Sequence, residues 1–213
     1  MPKSIKFRTL TKELNRLKKQ FLPKISPTGS YSKSQLSKTA AYRVFAHAEI
    51  ESYLEDRAWE VANNAIKIWE DTDKTSHTLI CLLGFSGLTM DKPPDTLTPK
   101  KADKTVKDEK IKIINKTNLA LQSFKNVIIQ NHGVKEANIL ALLLPIGIDS
   151  VDLNSIWLAT MNTFGENRGE VAHKSATSYK TVYLPDPENE LNMVKQITQE
   201  LLKIDELMNN LMK

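Results

Sequence analysis

The chain has 213 residues, 40% hydrophobic and 26% charged, with a formal net charge of +5. That length suits one well-buried core with little to spare for a second, and the composition excludes a disordered or fibrous protein. No apolar run approaches the roughly 18–20 residues that span a bilayer, and Met1-Pro2-Lys3-Ser4 opens no signal peptide, so a cytoplasmic protein without membrane association is expected.

The charge is unevenly spread. Residues 1–38 carry ten Lys or Arg and a single acid, Glu13, which puts +9 on this arm and about −4 on the rest. Leu10, Leu14, Leu17 and Phe21 recur at steps of four, three and four, the spacing of one helical stripe. Lys12, Arg16, Lys18 and Lys19 fall on the other face, giving a basic amphipathic helix with three readings. It packs its stripe on the domain or a partner subunit, presents phosphate-binding cations to RNA, or lies on a membrane; the first two are compatible. Pro23, Pro27 and Gly29 end it, so residues 1–35 read as a basic helix with a linker and residues 36–213 as a helical domain.

From Leu36 to Glu70 there is no Gly or Pro, which predicts a long helix with Val44, Ile50, Leu54, Ala58, Val61, Ala65 and Ile68 on its apolar face. Arg43, His47, Glu51 and Glu55 step by four along one edge. That ladder is either a hydrogen-bonded, partly solvated edge or a set of groups, His47 and Glu51 above all, that supports a site. A short apolar helix is predicted from His77 to Leu83, with the lone Cys81 buried in it as a small hydrophobe. A Gly- and Pro-marked loop runs to about 103, and Lys100–Lys116 has seven lysines against three acids before a helix that Asn131-His132-Gly133 stops. His132 is expected to cap that end. Val134–Leu144 predicts a buried helix, Asp149-Ser150 a cap, and Val151–Phe164 the next helix. Tyr179 and Tyr183 offer rings either for packing or for stacking on bases. Asp186-Pro187 opens a final helix with Leu191, Val194, Ile197, Leu201, Ile204, Leu207 and Leu211 on one face. The whole reads as an all-α, up-and-down helical bundle with an extra basic N-terminal helix. No Cys/His zinc pattern, Gly-rich phosphate loop or serine elbow occurs, so neither metal nor cofactor is expected.

The chemistry concentrates in Asn167-Arg168-Gly169-Glu170-Val171-Ala172-His173. Arg168 carries a permanent cation shaped for phosphate oxygens, and His173 an imidazole that exchanges a proton near neutral pH. Gly165 and Gly169 are expected to allow a sharp change of chain direction on either side of Arg168. The run from Leu142 through Trp157 and Phe164 to His173, together with Tyr42–Asp56 about 120 residues before it, resembles the RiboL-PSP-HEPN branch of the HEPN superfamily. The resemblance covers roughly residues 36–213. It implies a HEPN-like bundle whose Arg-x4-His motif cleaves RNA without a metal, in a homodimer formed through the motif-bearing face. It also implies a bacterial defence or toxin–antitoxin setting, with a neutralising or activating partner protein. Arg168 and His173 would be catalytic, Asn167 and Glu170 would orient the arginine, and His47 and Glu51 would support the pair. Two positions depart from the family's pattern. Gly169 stands where Asn, Asp or His often follows the arginine, and Ser175 where one branch has Tyr. The alternative is a catalytically silent RNA-binding or assembly module on the same bundle.

Overall fold

The computed structural model describes residues 2–90, 109–173 and 185–213, with the side chains of 109–110 and 170–173 outside the description. The lysines of 100–108, Ser175, Tyr179, Tyr183 and the side chains of Glu170 and His173 therefore lie outside the described residues. Among those residues the chain is all-α: α1 (Ile5–Phe21), α2 (Lys33–Thr72), α3 (His77–Phe85), α4 (Glu109–Ile129), α5 (Glu136–Leu143), α6 (Ser155–His173) and α7 (Pro187–Leu211). None of them is long and apolar enough to cross a membrane.

The spine is α2, 40 residues long. Its start is fixed by a reciprocal cap in which Gln35 N–H donates to Ser32 Oγ and Ser32 N–H donates to Gln35 Oε1. Its end is fixed by Asp73 in the left-handed region at φ 55°. At 1.5 Å per residue it spans about 60 Å, long enough to take α1, α3, α4, α5, α6 and α7 along its length.

The stripe of α1 settles the first of its readings, since it packs on the domain itself. Phe7, Leu10, Leu14 and Leu17 are all buried in the same core as Ile50 and Leu54 of α2 and Ile197 and Leu201 of α7. Each such side chain contributes roughly 1.5–3 kcal/mol by leaving water. The apolar stripe of α1 thus shares one core with the helices of 36–213. Ser4 caps α1, accepting from Phe7 N–H, and ties it to α7 by donating from its own N–H and Oγ to Asp205 at 2.8 and 2.6 Å.

Of two expected caps, one is displaced and one is found. Asp149 makes no side-chain cap; a short 3₁₀ turn at Ser150–Asp152 intervenes, and Asn154 Oδ1 caps α6 by accepting from Ile156 and Trp157 N–H. Asn has the reach of Asp and sits one residue before the first helical turn, which decides the matter. Asp186 caps α7 as expected, accepting from Glu188 and Asn189 N–H ahead of Pro187. Cys81 is half-buried rather than core; its sulfur lies 3.5 Å from His77 Nε2, and burial followed by Asp149 raises its thiol pKa. Both side chains crowd Gly147, which at φ +94° has His77 Cδ2 2.7 Å from where a Cβ would stand, so any side chain there would strain the turn and displace His77.

Candidate functional site

The motif lies inside α6, not beyond its end. The helix runs unbroken through Gly165 and Gly169 to His173, so the expected change of direction does not occur there. Gly165 has another role: a Cβ there would meet the Lys135 side chain at 2.9 Å, and its absence lets the α4–α5 connection lie close against α6. Among the described residues nothing stands within 4 Å of where a Gly169 Cβ would be.

α6 packs antiparallel on α2 in a register that lines the motif up with the polar ladder. Arg43 Nη1 donates to the Asn167 carbonyl at 3.4 Å, and the His47 ring stacks on Phe164 at 5.5 Å and 29°. One helical turn beyond Phe164, Arg168 is half-buried and close enough to His47 and Glu51 to act on the ionisation of both. Of the expected site residues the structure therefore brings Arg168, His47 and Glu51 together. Asn167 lines an open cleft of about 500 Å³ with Arg43, Asp186, Asn189 and Glu190, on the α7 side of the motif. Arg43 and Glu190 are both buried there as a two-armed ion pair, with Nε to Oε2 at 3.0 Å. Lys12, Arg16, Lys18 and Lys19 are exposed along α1, Arg16 being held by Glu13 at 2.6 Å and by Gln20 at 3.0 Å.

The ladder is partly solvated, from one end. Arg43 and His47 are buried, Glu51 and Glu55 half-buried. Burial, and after it the Arg168 cation, lowers the His47 pKa from 6.5 to about 4, so the imidazole is neutral at pH 7. Among the described residues its Nδ1 has no hydrogen-bond partner although Glu51 Oε2 stands 3.4 Å away; with the ring uncharged, that approach is a poorly aligned contact rather than an ion pair. Burial first, then Glu55, raises the Glu51 pKa, while Arg168 and His132 pull it back.

His132 was not legible as part of this cluster. α4 ends at Ile129 and His132 does not cap it; the residue beside it makes the bonds. Asn131 Nδ2 donates to Glu55 Oε1 at 2.7 Å and to the Gly133 carbonyl at 3.1 Å, which fastens the connection to α2 at the foot of the ladder. Exposed His132 is thereby held beside Glu51. The signal was the bare Asn-His-Gly turn, whose contacts come from residues 76 positions away. Among the described residues, no group of three or more His, Cys, Asp or Glu side chains is placed to hold a metal ion.

The RiboL-PSP-HEPN family model matches residues 6–210, nearly the whole chain. The chain belongs to the RiboL-PSP-HEPN family. No curated protein and no solved structure matches it. The match takes in α1, which the resemblance read from the sequence left outside, in keeping with the α1 stripe being part of the HEPN core. Domains of this superfamily are often ribonucleases.

The buried imidazole makes a pH prediction. A His whose folded pKa lies below its unfolded value leaves stability complete above about pH 6.5 and lost as pH falls toward about 4. The full loss is about 3 kcal/mol. Glu51, shifted upward, works in the opposite sense by taking up its proton more readily in the folded state. Denaturant melts of wild type and His47→Phe from pH 7 to 4.5 should therefore diverge, the variant losing less stability on acidification. Parallel curves would remove His47 as the source.

Proposed function

We propose that this HEPN domain is a metal-independent endoribonuclease acting through Arg168 and His173. The observation that carries this reading is the electrostatic cluster on the motif side of α2: a half-buried guanidinium beside a buried neutral imidazole and a carboxyl held toward its protonated form. Desolvated groups with opposed pKa shifts gathered on one cation are what an acid–base site on an anionic substrate needs. Arg168 holds the non-bridging oxygens of a phosphodiester and stabilises the charge that grows on them. The ribose 2′-oxygen bonds to phosphorus as its proton passes to His173, the P–O5′ bond breaks, and the leaving oxygen takes up a proton. The products are a 2′,3′-cyclic phosphate and a 5′-hydroxyl.

On a continuous helix, positions five apart lie about 140° apart around the axis, so positions 168 and 173 fall on different faces of the α6 backbone. This supports a homodimer in which the arginine of one copy and the histidine of the other share a cleft. We further infer an intracellular setting in bacterial defence or a toxin–antitoxin pair, with a partner protein that restrains or triggers cleavage. Gly169 favours the second reading, the catalytically silent RNA-binding or assembly module, because it supplies no side chain to hold the Arg168 guanidinium.

Incubation of mixed RNA with wild type and His173→Ala in excess EDTA, followed by analysis of product ends, decides between them. Cyclic-phosphate ends from the wild type alone are expected. Cleavage that requires a divalent cation, or that leaves 3′-hydroxyl ends, overturns the mechanism, and no cleavage by either protein selects the silent module.

RNA affinity should draw on α1. Replacing Lys12, Arg16, Lys18 and Lys19 together by Ala removes four exposed cations, of which Arg16 is already partly neutralised by Glu13. With about 0.7 counterions released per contact on a single strand, the slope of log affinity against log salt should fall by about 2. An unchanged slope would leave α1 with packing alone.

A further inference from the structure

α1 and α7 lie side by side on α2, pinned together where Ser4 meets Asp205, and between them runs an open trough of about 320 Å³. Its two walls have the same spacing. Phe7, Thr11, Leu14 and Lys18 step by four, three and four along α1, and Leu191, Lys195, Thr198 and Leu202 do so along α7. Each wall is therefore one helical face about 16 Å long. Three lysines, Lys3, Lys18 and Lys195, are exposed on its rim, and among the described residues no acid lines it. Leu191 and Leu202 are half-buried, leaving apolar surface along the α7 wall.

We propose that this trough docks an acidic amphipathic helix of a partner protein. Two helical faces in the same register form the groove into which a third helix lays its apolar side. The lysines on the rim then meet acidic residues flanking that side, and such pairs fix register and speed encounter. RNA fits less well. The two described aromatic rings of the trough, Phe7 and Tyr42, are 2% and 1% exposed, so among the described residues no ring there is open for a base to stack on, and no arginine lines the walls. The trough involves none of Arg168, His173, His47 or Glu51 and shares with the nuclease reading only Lys18, one of the α1 cations proposed to attract RNA.

The test uses a fluorescent peptide of about 15 residues, somewhat longer than the roughly 11 that span the trough as a helix, with Leu at helical spacing and Glu elsewhere. Its anisotropy is read against the full chain. A second peptide has the same composition in an order that gives no apolar face. The doubly charge-reversed variant Lys18→Glu/Lys195→Glu changes only exposed side chains, and its thermal melt should match the wild type. The ordered peptide should bind at least about tenfold more tightly than the shuffled one, and about tenfold more tightly to wild type than to the variant. Equal binding of the two peptides, or undiminished binding to the variant, overturns the proposal. So does a short oligouridine that binds wild type but not the variant while the ordered peptide binds neither.

Discussion

Arg168→Ala should lower kcat for RNA cleavage by about 10²–10³-fold, the usual effect of removing one preorganised donor from charge that develops in a transition state. KM should change far less, because Lys12, Lys18 and Lys19 on α1 remain to attract the strand. The fold should survive, since Arg168 is half-buried near the end of α6 and belongs to no apolar stripe. Arg168→Lys keeps the charge but loses the planar fork and should fall between the two. His173→Ala should cost about 10²–10⁴-fold, the range for losing a positioned proton carrier. A readout independent of turnover accompanies these rates. Arg168 is one of the two causes that lower the His47 pKa, so in Arg168→Ala the His47 imidazole should titrate higher than about 4. An unmoved NMR titration would separate Arg168 from the ladder, and unchanged cleavage by Arg168→Ala and His173→Ala would dismiss the site altogether.

Asp205→Asn should be the most damaging conservative change to stability. Asp205 is fully buried, accepts from Ser4 N–H, Ser4 Oγ and Tyr53 Oη, and faces Arg57 Nε at 3.1 Å. That nitrogen is poorly aligned and makes no hydrogen bond, so the pair is held by charge rather than by direction. Losing the carboxylate leaves the buried Arg57 with Glu60 at 2.5 Å and Asn209 at 2.9 Å. Breaking a buried pair at one end typically costs 3–5 kcal/mol, and with Glu60 still in place about 3 kcal/mol is expected. For a chain of this size that lowers Tm by about 10 °C. Because Ser4 is the tie between α1 and α7, amide exchange should quicken first in α1. Wild-type stability in Asp205→Asn would show that the network positions these helices without stabilising them.

The helices were legible because their signals are local. The four-three-four stripe of α1, the Gly- and Pro-free run of α2 and the Asp186-Pro187 cap of α7 each depend on residues within a turn or two of one another. The Arg-x4-His motif and its resemblance to the HEPN superfamily were equally open to reading. Where local signals competed, sequence did less well: two glycines flanking Arg168 pointed to a bend, yet α6 continues, and Asn154 took the cap assigned to Asp149.

By itself, then, the sequence determined an all-α chain, most of the apolar stripe that α1, α2 and α7 bury, and the family to which it belongs. Tertiary structure alone decided what the polar ladder became. Arg43 was drawn into an ion pair with Glu190, His47 was buried on Phe164 and neutralised, and Glu51 was left between Glu55, Arg168 and His132. The four ladder residues share one spacing and one edge of α2. What separates them is how much water the opposing helix removes and which charge it supplies, and both come from residues up to 147 positions away.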